Sequence, residues 1–231
     1  RETPVDKDLL RAMTDVIRHR GPDGEGLHIG PGLGLGHRRL AIIDPATGQQ
    51  PMLDPDTQNV IIYNGEVYNY VEIRKELLAA GYHFRTDSDT EVILKAYAHW
   101  GEECLGRFNG MWAFALWDHA RQRLFLARDR LGIKPLHYCI TDERIVFGSE
   151  IKSLFAAGVP RTPDTALLDV YLTFGYIPAP HSFFSGIRKL PPGHCILTDG
   201  KQTEIRRYWD LPHITEAEMR RDAPAVREEF Q

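Results

Sequence analysis

The stretch VIIYNGEVYNY (residues 60–70) begins as a β-strand and then departs from a simple strand pattern. Three apolar residues and Tyr63 lead into Asn64-Gly65, a dipeptide that favours a tight hairpin turn between two strands. The next residue is the acidic Glu66, followed by a further apolar and aromatic pair. The pattern predicts a strand over residues 60–63 and a turn at Asn64-Gly65 that presents a carboxylate.

The segments on either side of this stretch alternate between strand-like and helical patterns. Apolar residues at helical spacing predict helices at residues 6–18, 71–80, 89–100, 151–157 and 165–174. Strand-like runs, separated by Gly, Pro, Asp or Asn, occur at residues 33–43, 112–117, 124–127, 136–140 and 145–148. Because strands and helices do not alternate regularly, the order favours an α+β fold with antiparallel sheets.

The composition is that of an ordinary globular protein, with 231 residues, 42% hydrophobic content and a formal net charge of −4. This charge provides no overall positive field for nucleic acid or anionic membranes. No apolar run approaches the roughly 18–20 residues of a membrane-spanning helix. Cys104, Cys139 and Cys195 are odd in number and widely spaced, which argues against a disulfide framework and favours a reducing, cytoplasmic setting.

Arg38 and Arg39 interrupt an otherwise apolar strand pattern. Neighbouring side chains of a strand point to opposite faces, so one of the two arginines must face whatever the sheet covers. A guanidinium in that position needs an anion, and it can bind a carboxylate through two parallel hydrogen bonds. A rim arginine paired with a nearby acid fits the pattern equally well.

Asp87, Ser88 and Asp89 directly precede a helical run. Asp and Ser are preferred N-cap residues, and acids in the first turn are stabilised by the helix dipole. Two aspartates exceed what one cap requires, so a spare carboxylate could receive a ligand's ammonium group. The segment RHRGPDGEG (residues 18–26) is typical of a helix C-terminus that ends in glycine. No metal-binding histidine spacing and no phosphate-binding glycine loop occurs in the sequence.

Six segments, taken in order, resemble the glutaminase domain of glutamine-hydrolysing asparagine synthetases: RHRGPD, HRRLAIID with GQQPM, YNGEVYNY, TDSDTEVIL, FNGMWAFALWD and RDRLGIKPLHY. The resemblance implies an N-terminal-nucleophile hydrolase fold, a four-layer αββα sandwich of two mainly antiparallel sheets. Residues 1–211 would form this class II glutamine amidotransferase domain. The charged residues 212–231 would form a linker or the start of a following domain.

The resemblance also assigns residues to a glutamine pocket. By position in the motif, Arg39 is similar to the family residue that binds the α-carboxylate of glutamine. Main-chain groups of the residues after it would line the same pocket, namely Leu40, Ala41, Ile42 and Ile43.

Three further motif positions match the acids and the oxyanion hole of the family. Glu66 and Asp89 match the acids that receive the ammonium group of glutamine, and Asn64 and Gly65 match the oxyanion hole. A side-chain carboxamide and an adjacent backbone N–H can converge on one oxygen as it becomes negative. Loss of one such donor typically lowers the rate by about 10²- to 10³-fold.

The nucleophile of the family is a cysteine at the mature N-terminus, whose α-amine has a pKa of about 7.7–8.0 and can act as the base. This sequence begins with Arg1, and none of its three cysteines occupies the required position. We therefore expect that roughly ten residues are missing, which would hold the first strand and the cysteine. The chain alone is then expected to bind glutamine poorly and not to hydrolyse it.

The resemblance implies that ammonia from glutamine passes to a C-terminal synthetase domain that uses ATP and Mg²⁺ to amidate aspartate. No cofactor or metal is expected in residues 1–211, and the Ser-Gly-Gly-x-Asp-Ser loop of the ATP site does not occur here. Glutamine and the synthetase domain are the expected partners, with no nucleic acid and no membrane. The amidated acceptor and assembly as a homodimer stay open.

Two alternatives to a glutaminase fit the same sequence. One is a pseudo-glutaminase that keeps the glutamine pocket as a sensor or scaffold, and the other is a purely structural domain. Met-Cys-Gly immediately before Arg1 would exclude the sensor. A different residue at the cysteine position would exclude the enzyme.

Overall fold

The computed structural model describes residues 4–41 and 47–212. The helices in this part are α1 (Lys7–Asp15), α2 (Tyr70–Ala79), α3 (Asp89–Trp100), α4 (Ile151–Ala156) and α5 (Leu168–Phe174). Short 3-10 helices occur at Arg18–Arg20, Gly101–Gly106 and Thr165–Leu167. The strands are β1 (Gly24–Gly30), β2 (Leu33–Arg39), β3 (Met52–Leu53), β4 (Val60–Val67), β5 (Gly110–Asp118), β6 (Arg123–Arg128), β7 (His137–Ile140), β8 (Ile145–Gly148), β9 (Arg188–Lys189), β10 (His194–Thr198) and β11 (Thr203–Arg207).

Local capping explains where the two helices nearest the site begin. The Asp6 carboxylate accepts the N–H of Asp8 at 2.9 Å and fixes the start of α1. The Ser88 hydroxyl accepts the N–H of Thr90 at 3.1 Å and fixes the start of α3. Each cap satisfies an N–H group that has no partner within the helix.

The strands form one large and two small antiparallel sheets. The large sheet has the order β11-β10-β6-β5-β4-β3, β1 and β2 form a hairpin, and the third sheet has the order β8-β7-β9. Helices α2 and α3 cover one face of the large sheet, where Leu77 and Ile93 pack among its apolar residues. The hairpin and the third sheet cover the other face, through Leu35 and Tyr138.

Helices α1 and α4 form the outermost layer, since Leu154 packs on Val146 of β8 with Met13 beside it. The order of layers is therefore helix, sheet, sheet, helix. This confirms the predicted α+β, four-layer αββα architecture. The second sheet layer differs from the expectation in one respect, because it consists of two separate pieces in the described residues.

The predicted hairpin turn at Asn64-Gly65 is wrong. Strand β4 continues to Val67 and pairs with β5 as far as Gly110. Gly65 has φ of 155°, and a β carbon on it would lie 2.2 Å from the carbonyl oxygen of Met111. This glycine therefore allows two strands to approach closely, whereas a hairpin turn would need a left-handed bend at the dipeptide.

The predicted helices are all present, with end points that shift by a few residues. The sequence interpretation missed β1, β3, β9, β10 and β11, of which β1 is glycine-rich, β3 and β9 have two residues each, and β11 is mostly charged. Residues 42 and 43 of the predicted strand 33–43 lie outside the described residues, as do residues 213–231. Within the described ranges, no helix is both long and apolar enough to cross a membrane.

Candidate active site

A cavity of about 1170 Å³ lies between the large sheet and the second sheet layer. It brings together residues that are far apart in sequence and that were predicted to bind a substrate: Arg39, Leu40, Asn64, Gly65, Glu66 and Asp89. Ala41 does not line it, and the Ala41 N–H donates to Asp23 Oδ2 at 2.9 Å. Ile42 and Ile43 lie outside the described residues.

Asn64 contributes a polar group with unusual surroundings. Strand alternation places it on the same face of β4 as Ile62, which packs between the two sheet layers. The Asn64 Nδ2 atom is buried and forms no hydrogen bond in the described structure. Because buried donors are nearly always paired, an orphaned amide on a cavity wall indicates a donor kept for a ligand.

The backbone of β4 presents a second donor next to this amide. Tyr63 N–H donates to Gln50 Oε1 at 2.6 Å, and Val67 N–H donates to Asp89 Oδ2 at 3.1 Å. Backbone groups alternate between the two edges of a strand, so Gly65 N–H points to the same edge, between these two bonds. Asn64 and Gly65 thus place two neighbouring donors at the cavity.

Two carboxylates flank these donors. Asp89 is only 3% exposed, and its Oδ2 accepts the Tyr63 hydroxyl at 2.7 Å as well as the Val67 N–H. Burial raises the pKa of the Asp89 carboxyl, the hydrogen bonds from Tyr63 and Val67 oppose the rise, and the charge of Glu66 adds to it. Two acids that repel one another across a cavity favour a cationic ligand between them.

The neighbouring aspartate has a different environment. The Asp87 side chain is 93% exposed and forms an ion pair with Arg74 at 3.3 Å. Ser88 provides the helix cap. Of the two aspartates beside it, Asp89 is the one that lines the cavity.

The two arginines of β2 both line the cavity, and Arg38 is held there by ion pairs. The Arg38 Nη1 atom lies 2.7 Å from Glu25 Oε2, and its Nη2 pairs with Asp15. Arg38 therefore matches the interpretation of an arginine paired with nearby acids. Arg39 lines the cavity together with His37, whose pKa is lowered to about 4 by burial and by the charge of Arg39.

Gln50 and Tyr63 are among the residues of the cavity wall that the sequence interpretation missed. The Gln50 carboxamide accepts the Tyr63 N–H, and its Nε2 lies 3.4 Å from Thr90 Oγ1. The Tyr63 side chain reaches from β4 to the start of α3. Neither interaction could be predicted from spacing along the chain, because each joins segments that meet only in the folded protein.

Arg128 and Asp129 of the charged segment RDRLGIKP serve the fold. Asp129 is fully buried and accepts four backbone N–H groups, those of Trp112, Leu131, Ile133 and Lys134. The Arg128 guanidinium donates to three backbone carbonyls, those of Gly132, Lys134 and Leu190. Neither side chain lines the cavity.

The three cysteines are buried, and none lines the cavity. Burial raises the pKa of all three thiols, so each is held in the unreactive protonated form at neutral pH. Residues 4–41 and 47–212 contain no group of three or more His, Cys, Asp or Glu side chains that could hold a metal ion.

The fold and this arrangement of donors, acids and Arg39 define a class of amide-processing domain. Residues 2–209 match the glutamine amidotransferase domain, and the chain belongs to that family. Among its relatives, it is 42% identical over 192 residues to glutamine-hydrolyzing asparagine synthetase 1 of Bacillus subtilis strain 168. That match covers 83% of this chain and 30% of the relative.

Relatives with other names match the same region of this chain. The chain is 37% identical over 232 residues to a putative asparagine synthetase of Methanocaldococcus jannaschii, covering 90% of this chain and 44% of that protein. It is 36% identical over 209 residues to amidase chyE of Penicillium rubens, covering 89% of this chain and 30% of that protein. The chain thus spans less than half the length of each of these relatives.

Solved structures agree on the fold. The glutamine phosphoribosylpyrophosphate amidotransferase of B. subtilis aligns with a TM-score of 0.62 at 20% identity. The alignment covers 88% of this chain and 46% of that chain. The predicted N-terminal-nucleophile hydrolase fold is confirmed by this likeness.

Proposed function

We propose that the full-length protein hydrolyses glutamine in this cavity and supplies the ammonia to a second domain that amidates aspartate. The observation that carries the proposal is the buried, unpaired Asn64 Nδ2 beside the Gly65 N–H. Such a pair of donors fits the oxygen of an amide carbonyl as it becomes negative. An oxyanion hole is needed by a hydrolase and has no use in a domain with only a structural role.

The remaining charges of the cavity fit the two ends of a free amino acid. Arg39 would bind the α-carboxylate of glutamine, with the main chain of Leu40 nearby. Glu66 and Asp89 would receive the α-ammonium group. Opposite charges at the two ends of the site fix the direction of the substrate, so that its side-chain amide reaches Asn64 and Gly65.

The nucleophile would be a cysteine on a strand that occupies the inner part of the cavity. Among the described residues, β2 pairs only with β1, and β8 pairs only with β7. Residues of both strands line the cavity, together with apolar Ile62 and Ala115 of the large sheet. An extended segment placed there would join the two pieces of the second sheet layer.

The reaction then follows from the donors described above. The thiolate would attack the amide carbon, and Asn64 and Gly65 would stabilise the oxyanion of the tetrahedral intermediate. Collapse of the intermediate expels ammonia, which takes the proton from the thiol, and leaves a thioester. Water hydrolyses the thioester to glutamate and regenerates the thiol. Without the cysteine, the 231-residue chain is expected to release no glutamate.

The acceptor reaction would occur in the part of the protein that extends beyond this chain. The names of the relatives include both asparagine synthetases and an amidase, so the glutaminase domain by itself leaves the acceptor open. We propose aspartate as the acceptor and place ATP and Mg²⁺ in the additional domain.

The test is to measure glutamate release from glutamine by the full-length protein with its native N-terminus, with and without aspartate and ATP. We expect release in both conditions, a higher rate with aspartate and ATP, and none after replacement of the nucleophilic cysteine by alanine. Glutamine binding without any glutamate release would point to a pseudo-glutaminase. No binding would leave only a structural role.

A further inference from the structure

We propose that Tyr63 and Gln50 are positioning residues of the glutamine site, which hold the segment Asn64–Glu66 against the first turn of α3. The inference rests on the proposed glutamine site, and it concerns residues whose polar groups join β4 to α3. Tyr63 lies on the face of β4 that packs against α2 and α3, opposite the face of Asn64.

The Tyr63 hydroxyl forms the direct link. It donates to Asp89 Oδ2 at 2.7 Å, and both side chains are buried, at 4% and 3% exposure. The same oxygen accepts the Val67 N–H at 3.1 Å. Two donors from one strand on one carboxylate oxygen fix the rotation of that carboxylate and tie it to β4 on both sides of residues 64–66.

Gln50 forms a second link at the same place. Its Oε1 accepts the Tyr63 N–H at 2.6 Å, and its Nε2 lies within 3.4 Å of Thr90 Oγ1. The Gln50 carboxamide therefore bridges β4 and α3 one residue away from Asp89. β3 pairs with β4 only at Val60 and Ile61, so in the described structure these side chains replace a partner strand along the edge that carries Gly65 N–H.

The consequence for the site is geometric. Asn64 and Glu66 are carried by β4, whereas Asp89 is carried by α3, and glutamine must contact all three. A catalytic arrangement tolerates errors of only about 0.5 Å, so the two elements must keep a fixed relative position. Three hydrogen bonds of Tyr63 and Gln50 hold β4 and α3 in this fixed relative position, and the bond from Val67 N–H to Asp89 adds a fourth.

The decisive variant is Tyr63→Phe, which removes one hydroxyl and retains the ring. In the full-length protein we expect the KM for glutamine to rise about tenfold, since hydrogen bonds to charged groups are among the stronger ones. The kcat for glutamate release should change less than twofold, and ammonia-dependent synthesis should be unchanged.

The chain offers a matched control for loss of a buried tyrosine hydroxyl. The Tyr97 hydroxyl donates to Asp118 Oδ2 at 2.8 Å, and both residues are buried away from the cavity. Tyr97→Phe should lower the thermal stability as much as Tyr63→Phe and leave the KM for glutamine unchanged. Equal kinetics in the two variants would overturn the proposal.

Gln50→Met tests the second link with an apolar side chain of similar length. We expect this variant to raise the KM for glutamine. In the double variant with Tyr63→Phe, the fold increase in KM should be smaller than the product of the two single increases. This shortfall is expected because both residues hold the same two elements. Independent, multiplicative effects would contradict a shared positioning role.

The pH dependence of kcat/KM for glutamine distinguishes a positioning role from a general loss of stability, which would not change it. The titratable groups acting on Asp89 are Tyr63 and Glu66 of β4, and its other hydrogen-bond partners are the N–H groups of Val67 and Thr90. The bond from Tyr63 lowers the pKa of Asp89, so Tyr63→Phe should move the acid limb of kcat/KM for glutamine to higher pH. The limb of Tyr97→Phe should coincide with that of the wild type.

Failure of this inference can be distinguished from failure of the proposed function. If the wild-type protein releases no glutamate, hydrolysis is excluded, and calorimetric titration with glutamine then decides the positioning role. A higher Kd in Tyr63→Phe than in Tyr97→Phe would support it, and equal values would overturn it. Absence of glutamine binding by the wild-type protein would overturn both proposals.

Discussion

Gly65 of β4 lies so close to β5 that a β carbon on it would be 2.2 Å from the carbonyl oxygen of Met111. The contact is reciprocal, because a β carbon on Gly110 would lie 2.1 Å from the carbonyl oxygen of Glu66. Both glycines also have φ near 155°. The segment that carries Asn64 and Glu66 is therefore positioned by two glycines that bring the strand backbones together.

Gly65→Ala should lower the free energy of unfolding by about 2–4 kcal/mol, because it adds both a backbone clash and an unfavourable φ. Gly81→Ala is the matched control, with φ of 90° and no heavy atom within 4 Å of the added carbon. It should lower the same free energy by only about 1 kcal/mol. Chemical denaturation measures both, and equal losses would show that the approach of β5 is not the cause.

Asn64→Leu should separate activity from stability. The Asn64 Nδ2 atom is buried without a partner, so an apolar side chain of similar size removes an unsatisfied donor and should leave the unfolding free energy unchanged or higher. Glutamate release by the full-length protein should fall by about 10²- to 10³-fold. A large loss of stability would mean that the amide has a structural partner.

Asn69 provides the opposite case on the same segment. Its Nδ2 donates to the Arg107 carbonyl at 2.9 Å, and its Oδ1 accepts the Asn109 N–H at 2.9 Å. Asn69→Leu should therefore lower the unfolding free energy by about 1–3 kcal/mol and leave the KM for glutamine unchanged. Thermal unfolding and initial-rate kinetics on the same preparations test the contrast.

The two arginines of β2 should respond differently to lysine. Arg39→Lys should raise the KM for glutamine about tenfold or more, because lysine cannot form the paired hydrogen bonds that a guanidinium forms with a carboxylate. Arg38→Lys should leave this KM unchanged, since Arg38 pairs with Asp15 and Glu25. Ammonia-dependent synthesis should be spared in both, and its loss in Arg39→Lys would indicate a role in folding.

Two partly buried histidines predict an acid-sensitive fold. Burial lowers the pKa of His37 and of His137 to about 4, whereas an unfolded chain protonates near 6.5. Between these values the unfolded chain binds protons that the folded chain excludes. The unfolding free energy should therefore fall as pH decreases from 6.5 to 4, by about 1.4 kcal/mol per pH unit for each histidine.

Glutamine substitutions test this directly, with the pH dependence as the readout. His37→Gln and His137→Gln should each make the dependence less steep over this range, whatever they do to the stability at pH 7. Urea unfolding at closely spaced pH values measures the slope. An unchanged slope in both variants would assign the acid sensitivity to other groups.

The sequence predicted the helices and the central strands well, because their apolar residues repeat at the spacing of each element. It failed at Asn64-Gly65, where the dipeptide that favours a turn lies inside a continuous strand. The reason is tertiary, since only the position of the β5 backbone shows why a glycine is needed there. The short strands β3 and β9 were missed because two residues carry no periodic signal.

The sequence by itself determined which residue types are present for a glutamine site and their order along the chain. The residue pattern alone left open the choice between Arg38 and Arg39 and between Asp87 and Asp89, and only the resemblance to glutaminase domains pointed to Arg39 and Asp89. The tertiary structure separates the two aspartates by burial, because Asp87 is exposed to solvent and Asp89 is buried at the cavity. Arg38 and Arg39 both line the cavity, and Arg38 is paired with Asp15 and Glu25. The link from Tyr63 to Asp89 likewise joins residues 26 positions apart, and only packing of β4 on α3 brings them together.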